Sequence, residues 1–301
     1  MELNYLSIDI GGTNIKYALI NHKGKFIFKD KISTPKEKAA FLASIDQIVN
    51  KYQTKIAGLA ICAPGKIEET TIRFGGALPF LDGIDFAEIY SQLQLPIAVI
   101  NDGKAAVLAE NWLGNLKGEK NCAAIILGTG VGGGIMLNGQ LLNGSHFQAG
   151  ELSYMILNSS QAAVPGQLLG KNFVGGLLSA VALIKQINQL AGNTDLTDGL
   201  AAFETLATTT NQQIKQLFST YCHNVACLIM NIQSVIDLDK FVIGGGISSQ
   251  ELVISGIRSS YDQLYKENKL VELTLTKPKI EVAKFNNDAN LYGALYKLLN
   301  D

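Results

Sequence analysis

The chain has 301 residues, 47% of them hydrophobic, and a formal net charge of −1. Near-neutral, dispersed charge removes the general electrostatic reason to expect nucleic acid or an anionic membrane as partner, and one hydrophobic core rarely grows past about 250–300 residues, so two lobes are expected. No signal peptide is visible and no apolar run reaches the ~18 residues of a membrane span, so a cytoplasmic protein without a membrane partner is expected.

Residues 6–20, "LSIDIGGTNIKYALI", place Asp9, Gly11, Gly12, Thr13 and Asn14 between two apolar runs that read as paired strands. "KFIFKDKIST" adds a third strand, polar on alternate positions. Residues 38–52 carry Phe41, Ile45, Ile48 and Val49 at helical spacing. "IAGLAICAP" is a buried strand stopped by Pro64-Gly65. Residues 73–86, "RFGGALPFLDGIDF", are rich in Gly and Pro and lead into the helix "DFAEIYSQL". "IAVINDGKAAVLAENWLG" is a strand, a polar corner at Asn101-Asp102 and a helix ending at Gly114. "CAAIILGTGVGGGIMLNGQLL" repeats the strand, glycine turn, strand design and turns again at Asn138-Gly139. Beyond residue 171 the pattern is mostly helical. Residues 221–236 are apolar nearly all round and are expected in the core. "DKFVIGGGISS" is a strand ending in glycines, "KIEVAKF" a late strand and "DANLYGALYKLLN" a closing helix. Its preceding "NNDAN" is read as a cap through Asp288.

The four cysteines, Cys62, Cys122, Cys222 and Cys227, form no CxxC pair. The three histidines, His22, His146 and His223, have no metal-ligand spacing with them, so buried reduced thiols are expected. The two glycine turns carry Thr13 and Thr129 where ordinary two-residue hairpins use Asn-Gly or Asp-Gly. Bare N–H groups and hydroxyls converging there suit an anion, and one turn per lobe could hold a polyphosphate from both sides. "GTGVGG" also satisfies G-x-G-x-x-G, but a dinucleotide fingerprint opens a helix, and these glycines run into a strand pattern. No Walker A sequence occurs. Asp102 ends a buried strand, where it could take a proton from a hydroxyl; locally, it could equally be an N-cap.

Six motifs in this order resemble the ROK sugar kinases of the actin-like ATPase superfamily: "DIGGTNIK", "APGKIEE", "NDGKAA", "LGTGVGGG", "AGE" and "FVIGGGIS". The resemblance implies an α/β, two-lobed actin-like ATPase (ribonuclease H-like) fold, each lobe a mixed sheet flanked by helices. The N-terminal lobe would span 1–112 plus 288–301 and the C-terminal lobe 113–287. It implies ATP-dependent phosphorylation of a hexose hydroxyl, most often O6, with Asp102 as general base. Asn101 and Glu151 would hold sugar hydroxyls. Asp9 would hold Mg²⁺ through water. Gly11, Gly12, Thr13, Asn14, Lys16, Gly128, Thr129, Gly130 and Gly132 would surround the phosphates, and Gly244, Gly245 and Gly246 the nucleoside. Gly75, Gly76 and Ala77 either line the sugar cleft or form a surface turn; the cleft is preferred. A homodimer is implied by the resemblance alone.

The family signature continues from this Glu through Gly to His and then to a cysteine-rich, zinc-binding loop with a second sugar-binding Glu. Here Ser153 and Tyr154 replace Gly and His, and "NSSQAAVPGQLLGKNFVGG" has no cysteine, so no zinc is expected. The lost residues sit near the anomeric end of the family's sugar, so a β-glucoside is preferred as acceptor, with Tyr154 available to stack on its aglycone. Free glucose or an amino sugar such as N-acetylmannosamine is the alternative, with Tyr154 merely filling space. A sugar-sensing protein without catalysis is the reading of a different class. Only about five residues precede the first strand in this sequence, so the helix-turn-helix of ROK repressors is not expected.

Overall fold

The structure, a computed structural model, describes residues 3–157 and 172–301. It divides into two compact units: Met1–Lys117 with Leu141–Ala149 and Asn287–Asp301, and Gly118–Gln140 with Gly150–Asn286.

The first unit contains β1 (Asn4–Ile10), β2 (Asn14–Asn21), β3 (Phe26–Ser33), α1 (Lys38–Tyr52), β4 (Leu59–Ala63), the short hairpin β5 (Lys66–Glu68) and β6 (Thr71–Arg73), α2 (Phe86–Ile89), β7 (Ile97–Asn101) and α3 (Asp102–Leu113). Its five-stranded sheet has the order β3-β2-β1-β4-β7. β1, β2 and β3 form an antiparallel meander, and β4 and β7 run parallel to β1. Every residue of β4 is buried, because helices cover both faces of a central parallel strand and leave no solvent side on which to alternate. On one face lie Phe41, Ile45, Ile48, Val49 and Tyr52 of α1. α3 and the closing helix, Ala289–Asn300, pack together and against β4 and β7. A Cβ at Gly293 would run into the Ala105 carbonyl, so the closing helix reaches α3 backbone to backbone. β3 is one edge, and its exposed charges Lys29, Asp30 and Lys31 deter further pairing.

The second unit contains β8 (Cys122–Leu127), β9 (Val131–Leu137), the first residue of β10 (Gln140–Leu141), α4 (Val174–Leu177), α5 (Ala180–Ala191), α6 (Gly199–Thr208), α7 (Gln212–Ile236), β11 (Lys240–Gly244), α8 (Glu251–Glu267), α9 (Lys269–Thr274) and β12 (Lys279–Val282). The sheet order β10-β9-β8-β11-β12 repeats that of the first sheet. β8 and β9 are antiparallel, and β11 and β12 run parallel to β8. α7 buries Tyr221, Cys222, Val225, Ala226, Leu228, Ile229, Ile232 and Gln233. It is not buried all round, however: Val235 is 84% exposed and His223 lies on the open side. An 18-residue apolar stretch, Val174–Ala191, is broken where Leu178 ends α4 and the Ser179 side chain caps α5 by accepting from the Ala182 N–H. It is therefore two short helices.

Candidate active site

Both glycine turns are three-residue hairpin loops. Gly11–Gly12–Thr13 joins β1 to β2, and Gly128–Thr129–Gly130 joins β8 to β9. In the first, the Gly11 N–H donates to the Asn14 carbonyl at 3.0 Å, and a Cβ at Gly11 would lie 2.9 Å from that oxygen. The carbonyls are tied back on the other side. Thr34 Oγ1 donates to Gly11 O at 2.6 Å, Lys36 Nζ to Gly12 O at 2.6 Å and the Thr34 N–H to Thr13 O at 2.9 Å. The N–H groups of Gly12 and Thr13 have no partner among the described residues. In the second turn the Gly128 N–H donates to Gly130 O at 3.0 Å, Gly128 O accepts from the Ala180 N–H, and the N–H groups of Thr129 and Gly130 are likewise unclaimed among the described residues. Each unit thus presents two adjacent backbone donors on a turn held rigid from behind, the arrangement an anion needs. Both glycine turns lead into antiparallel strands and neither opens a helix, which removes the dinucleotide reading of "GTGVGG".

Asn14 and Lys16 lie in β2, and Gly132 in β9 opposite Ile126, outside the turns themselves. Asp9, near the end of β1, is 5% exposed. Its Oδ2 receives Lys16 Nζ at 3.3 Å and its Oδ1 receives Asn290 Nδ2 at 3.0 Å, while Lys16 Nζ also donates to the Asn287 carbonyl at 3.0 Å. Burial pushes the Asp9 carboxyl above the usual carboxylate range, against the opposing pull of Lys16 and Asn290. Asn287 and Asn290 come from the "NNDAN" segment. Asp288 occupies the N-cap position of the closing helix without capping it; its carboxylate pairs with Lys29 at 2.8 Å. The cap expected there is thus an ion pair, and the segment reaches Asp9 through Asn290, some 281 residues away along the chain.

At the other corner of the same sheet, Asn101 rather than Asp102 caps α3: its Oδ1 accepts from the Gly103 and Lys104 N–H groups. Its Nδ2 donates to Gly65 O at 2.9 Å. Asp102 is thereby relieved of capping and, though open to solvent on one side, is crowded by protein. That desolvation raises its pKa, the Gly103 N–H on Oδ1 at 2.8 Å opposes it, and the Asp9 charge adds to the rise. Cys62, opposite Asp9 in β4, is fully buried with its thiol pushed well up and is inert. A Cβ on Gly12 would touch Ala77 at 3.6 Å, and one on Gly76 would lie 3.5 Å from the Gly65 amide. Residues 75–77 therefore stand beside both the first turn and the Asn101 corner.

In the second unit Glu151 follows Gly150, whose φ of +86° and close approach to Gly133 admit no side chain. Ser153 Oγ accepts from the Val131 N–H at 2.9 Å and donates to the Val131 carbonyl at 3.1 Å. It clamps the residue after the second turn to the segment bearing Glu151. Tyr154 is 57% exposed. The loop expected to lack a zinc site falls mostly on 158–171, outside the described residues. Gly244 ends β11 against Ile126, Gly245 has φ +98° with the Leu127 carbonyl where a Cβ would sit, and Gly246 faces open space. Gly246 and Gly128 border a cavity of about 620 Å³ walled by Val181, Ile184, Leu200 and Ile247, with Gln250 at its edge.

The ROK family model matches residues 5–300. Proteins named β-glucoside kinase from Listeria monocytogenes and Listeria innocua are similar at 27% and 29% identity, each alignment covering 98% of this chain and 97% of the relative. The crystal structure of a ROK family protein from Streptococcus pneumoniae in complex with sucrose superposes with a TM-score of 0.87 at 29% identity, over 99% of this chain and 98% of that one.

Proposed function

The chain belongs to the ROK family, and from that membership we propose that it transfers the γ-phosphoryl group of ATP to O6 of a glucose-type sugar. The observation that carries the reading is the division of labour at the α3 N-terminus. Asn101 caps the helix, and the neighbouring Asp102 carboxylate is left uncommitted after a buried strand, close enough to feel the charge of the buried Asp9.

Phosphoryl transfer asks the protein for alignment, charge neutralisation and a base. Asp102 accepts the proton of the acceptor hydroxyl as its oxygen bonds to the γ-phosphorus; the bond to the β–γ bridging oxygen breaks and ADP departs. The Gly12, Thr13, Thr129 and Gly130 amides donate to phosphate oxygens. Asp9 suits Mg²⁺ held through water: it is one hard carboxylate oriented by Lys16 and Asn290, and magnesium keeps its waters and takes further ligands from phosphates. That ion would supply neutralisation of phosphate charge. The cavity beside Gly246 receives the nucleoside, its aliphatic walls against the base. ATP as donor makes this a cytoplasmic reaction, and a homodimer belongs to the same reading.

For the acceptor we favour a β-glucoside. Ser153 and Tyr154 stand where the family signature has Gly and His, the Listeria relatives are named for β-glucosides, and the pneumococcal protein holds sucrose, whose glucose unit is substituted at its anomeric carbon. Turnover of cellobiose, glucose and N-acetylmannosamine with ATP and Mg²⁺, followed by ADP release, tests this. The expected order puts cellobiose first in kcat/KM. Glucose far ahead of cellobiose would end the glycoside reading, and sugar binding without transfer to any sugar would favour a sensor.

A further inference from the structure

Phe74 is a large aromatic residue, 62% exposed, directly before Gly75 and Gly76. Its φ is +49°, a left-handed conformation unfavourable for a bulky side chain. The backbone is nevertheless fixed there from three directions. The Phe74 N–H donates to Asp82 Oδ1 at 2.9 Å, its carbonyl accepts from the Gly76 N–H at 2.6 Å, and that carbonyl lies where a Cβ on Gly65 would sit. Gly65 in turn is held by Asn101, the neighbour of Asp102. An exposed ring on a strained, over-determined backbone gains nothing for the core, and such strain collects at functional positions.

We propose that Phe74 is the platform on which the aglycone or second sugar of a glycoside acceptor stacks, an inference that rests on the acceptor reading above. In that reading Asp102 meets O6, and the anomeric substituent projects from the far side of the same pyranose ring. The Phe74 backbone is linked to that corner through two successive contacts, Asn101 to Gly65 and Gly65 to the Phe74 carbonyl, and its exposed ring is free to meet a ligand there. Flat aromatic faces suit the apolar face of a β-linked pyranose or an aromatic aglycone.

Steady-state kinetics of wild type, Phe74→Ala, Phe74→Leu and Phe74→Tyr with cellobiose and with methyl β-glucoside test the inference, with unfolding midpoints as a check on folding. The ratio of kcat/KM for cellobiose over methyl β-glucoside should fall about three- to tenfold in the Ala and Leu variants and be kept by Tyr. An unchanged ratio in all three folded variants, with wild type still using both glycosides, overturns the platform and leaves the acceptor reading standing. A wild type that phosphorylates neither glycoside overturns both.

Discussion

Replacing Asp102 by Asn removes the base while preserving its surroundings. Asn101 still caps α3, and an amide oxygen at position 102 can still accept from the Gly103 N–H. A positioned base contributes about 10²–10⁴-fold, so kcat should drop by that factor, equivalent to about 3–5 kcal/mol in the barrier. KM for sugar and nucleotide should move little, because the hydroxyl can still hydrogen-bond. The wild-type pH profile carries the same signature. Crowding by protein and the Asp9 charge raise the Asp102 pKa, so the acid limb of kcat/KM should lie above the ordinary carboxylate range and vanish in the variant. Stability follows with the opposite sense. A raised pKa means the folded state holds its proton more tightly than the unfolded chain, so this group destabilises as pH rises above the unfolded Asp value. A coupled ADP assay with thermal melts at several pH values reads all of this. A variant within tenfold of wild-type kcat would refute the base assignment.

Asn290→Ala withdraws a donor from the buried Asp9 carboxylate, costing about 1–3 kcal/mol. It also raises the Asp9 pKa further, so across a pH series urea midpoints should show a loss that shrinks as the pH falls through the Asp9 titration; a loss independent of pH would mean the bond does not stabilise the ionised form. Gly293→Ala drives a methyl into the Ala105 carbonyl and should destabilise by about 1–3 kcal/mol despite the better helix propensity of Ala. A melting temperature at or above wild type would contradict that close approach. Ser153→Ala frees the Val131 backbone behind the second turn, and KM for ATP should rise more than KM for sugar; the reverse ranking would assign Ser153 to the sugar side.

The apolar runs around Asp9 and around Thr129 were legible because a strand, a short glycine turn and another strand are local patterns, as was helix 38–52 from the spacing of Phe41, Ile45 and Ile48. Function at Asp102 was legible only as a choice between cap and base; the neighbour's capping bonds, a matter of side-chain geometry, relieve it of the cap. Asn290, Asn287 and Lys36 were missed because their partners lie far along the chain or on a different element, and nothing in "NNDAN" separates a cap from a site residue. Ser153 read only as a departure from the family pattern, although a hydroxyl that both donates and accepts is what the Val131 backbone requires there. The walls of the second-unit cavity come from α5, α6 and the segment after β11, and amphipathic spacing alone does not distinguish a cavity wall from core.

The most direct test is a crystal structure with cellobiose, Mg²⁺ and a non-hydrolysable ATP analogue. The account predicts the Asp102 carboxylate within hydrogen-bond reach of O6, about 2.6–3.2 Å, with the amides of Gly12, Thr13, Thr129 and Gly130 on the phosphates. An acceptor hydroxyl bound away from Asp102, or triphosphate contacting only one of the two glycine turns, would contradict it.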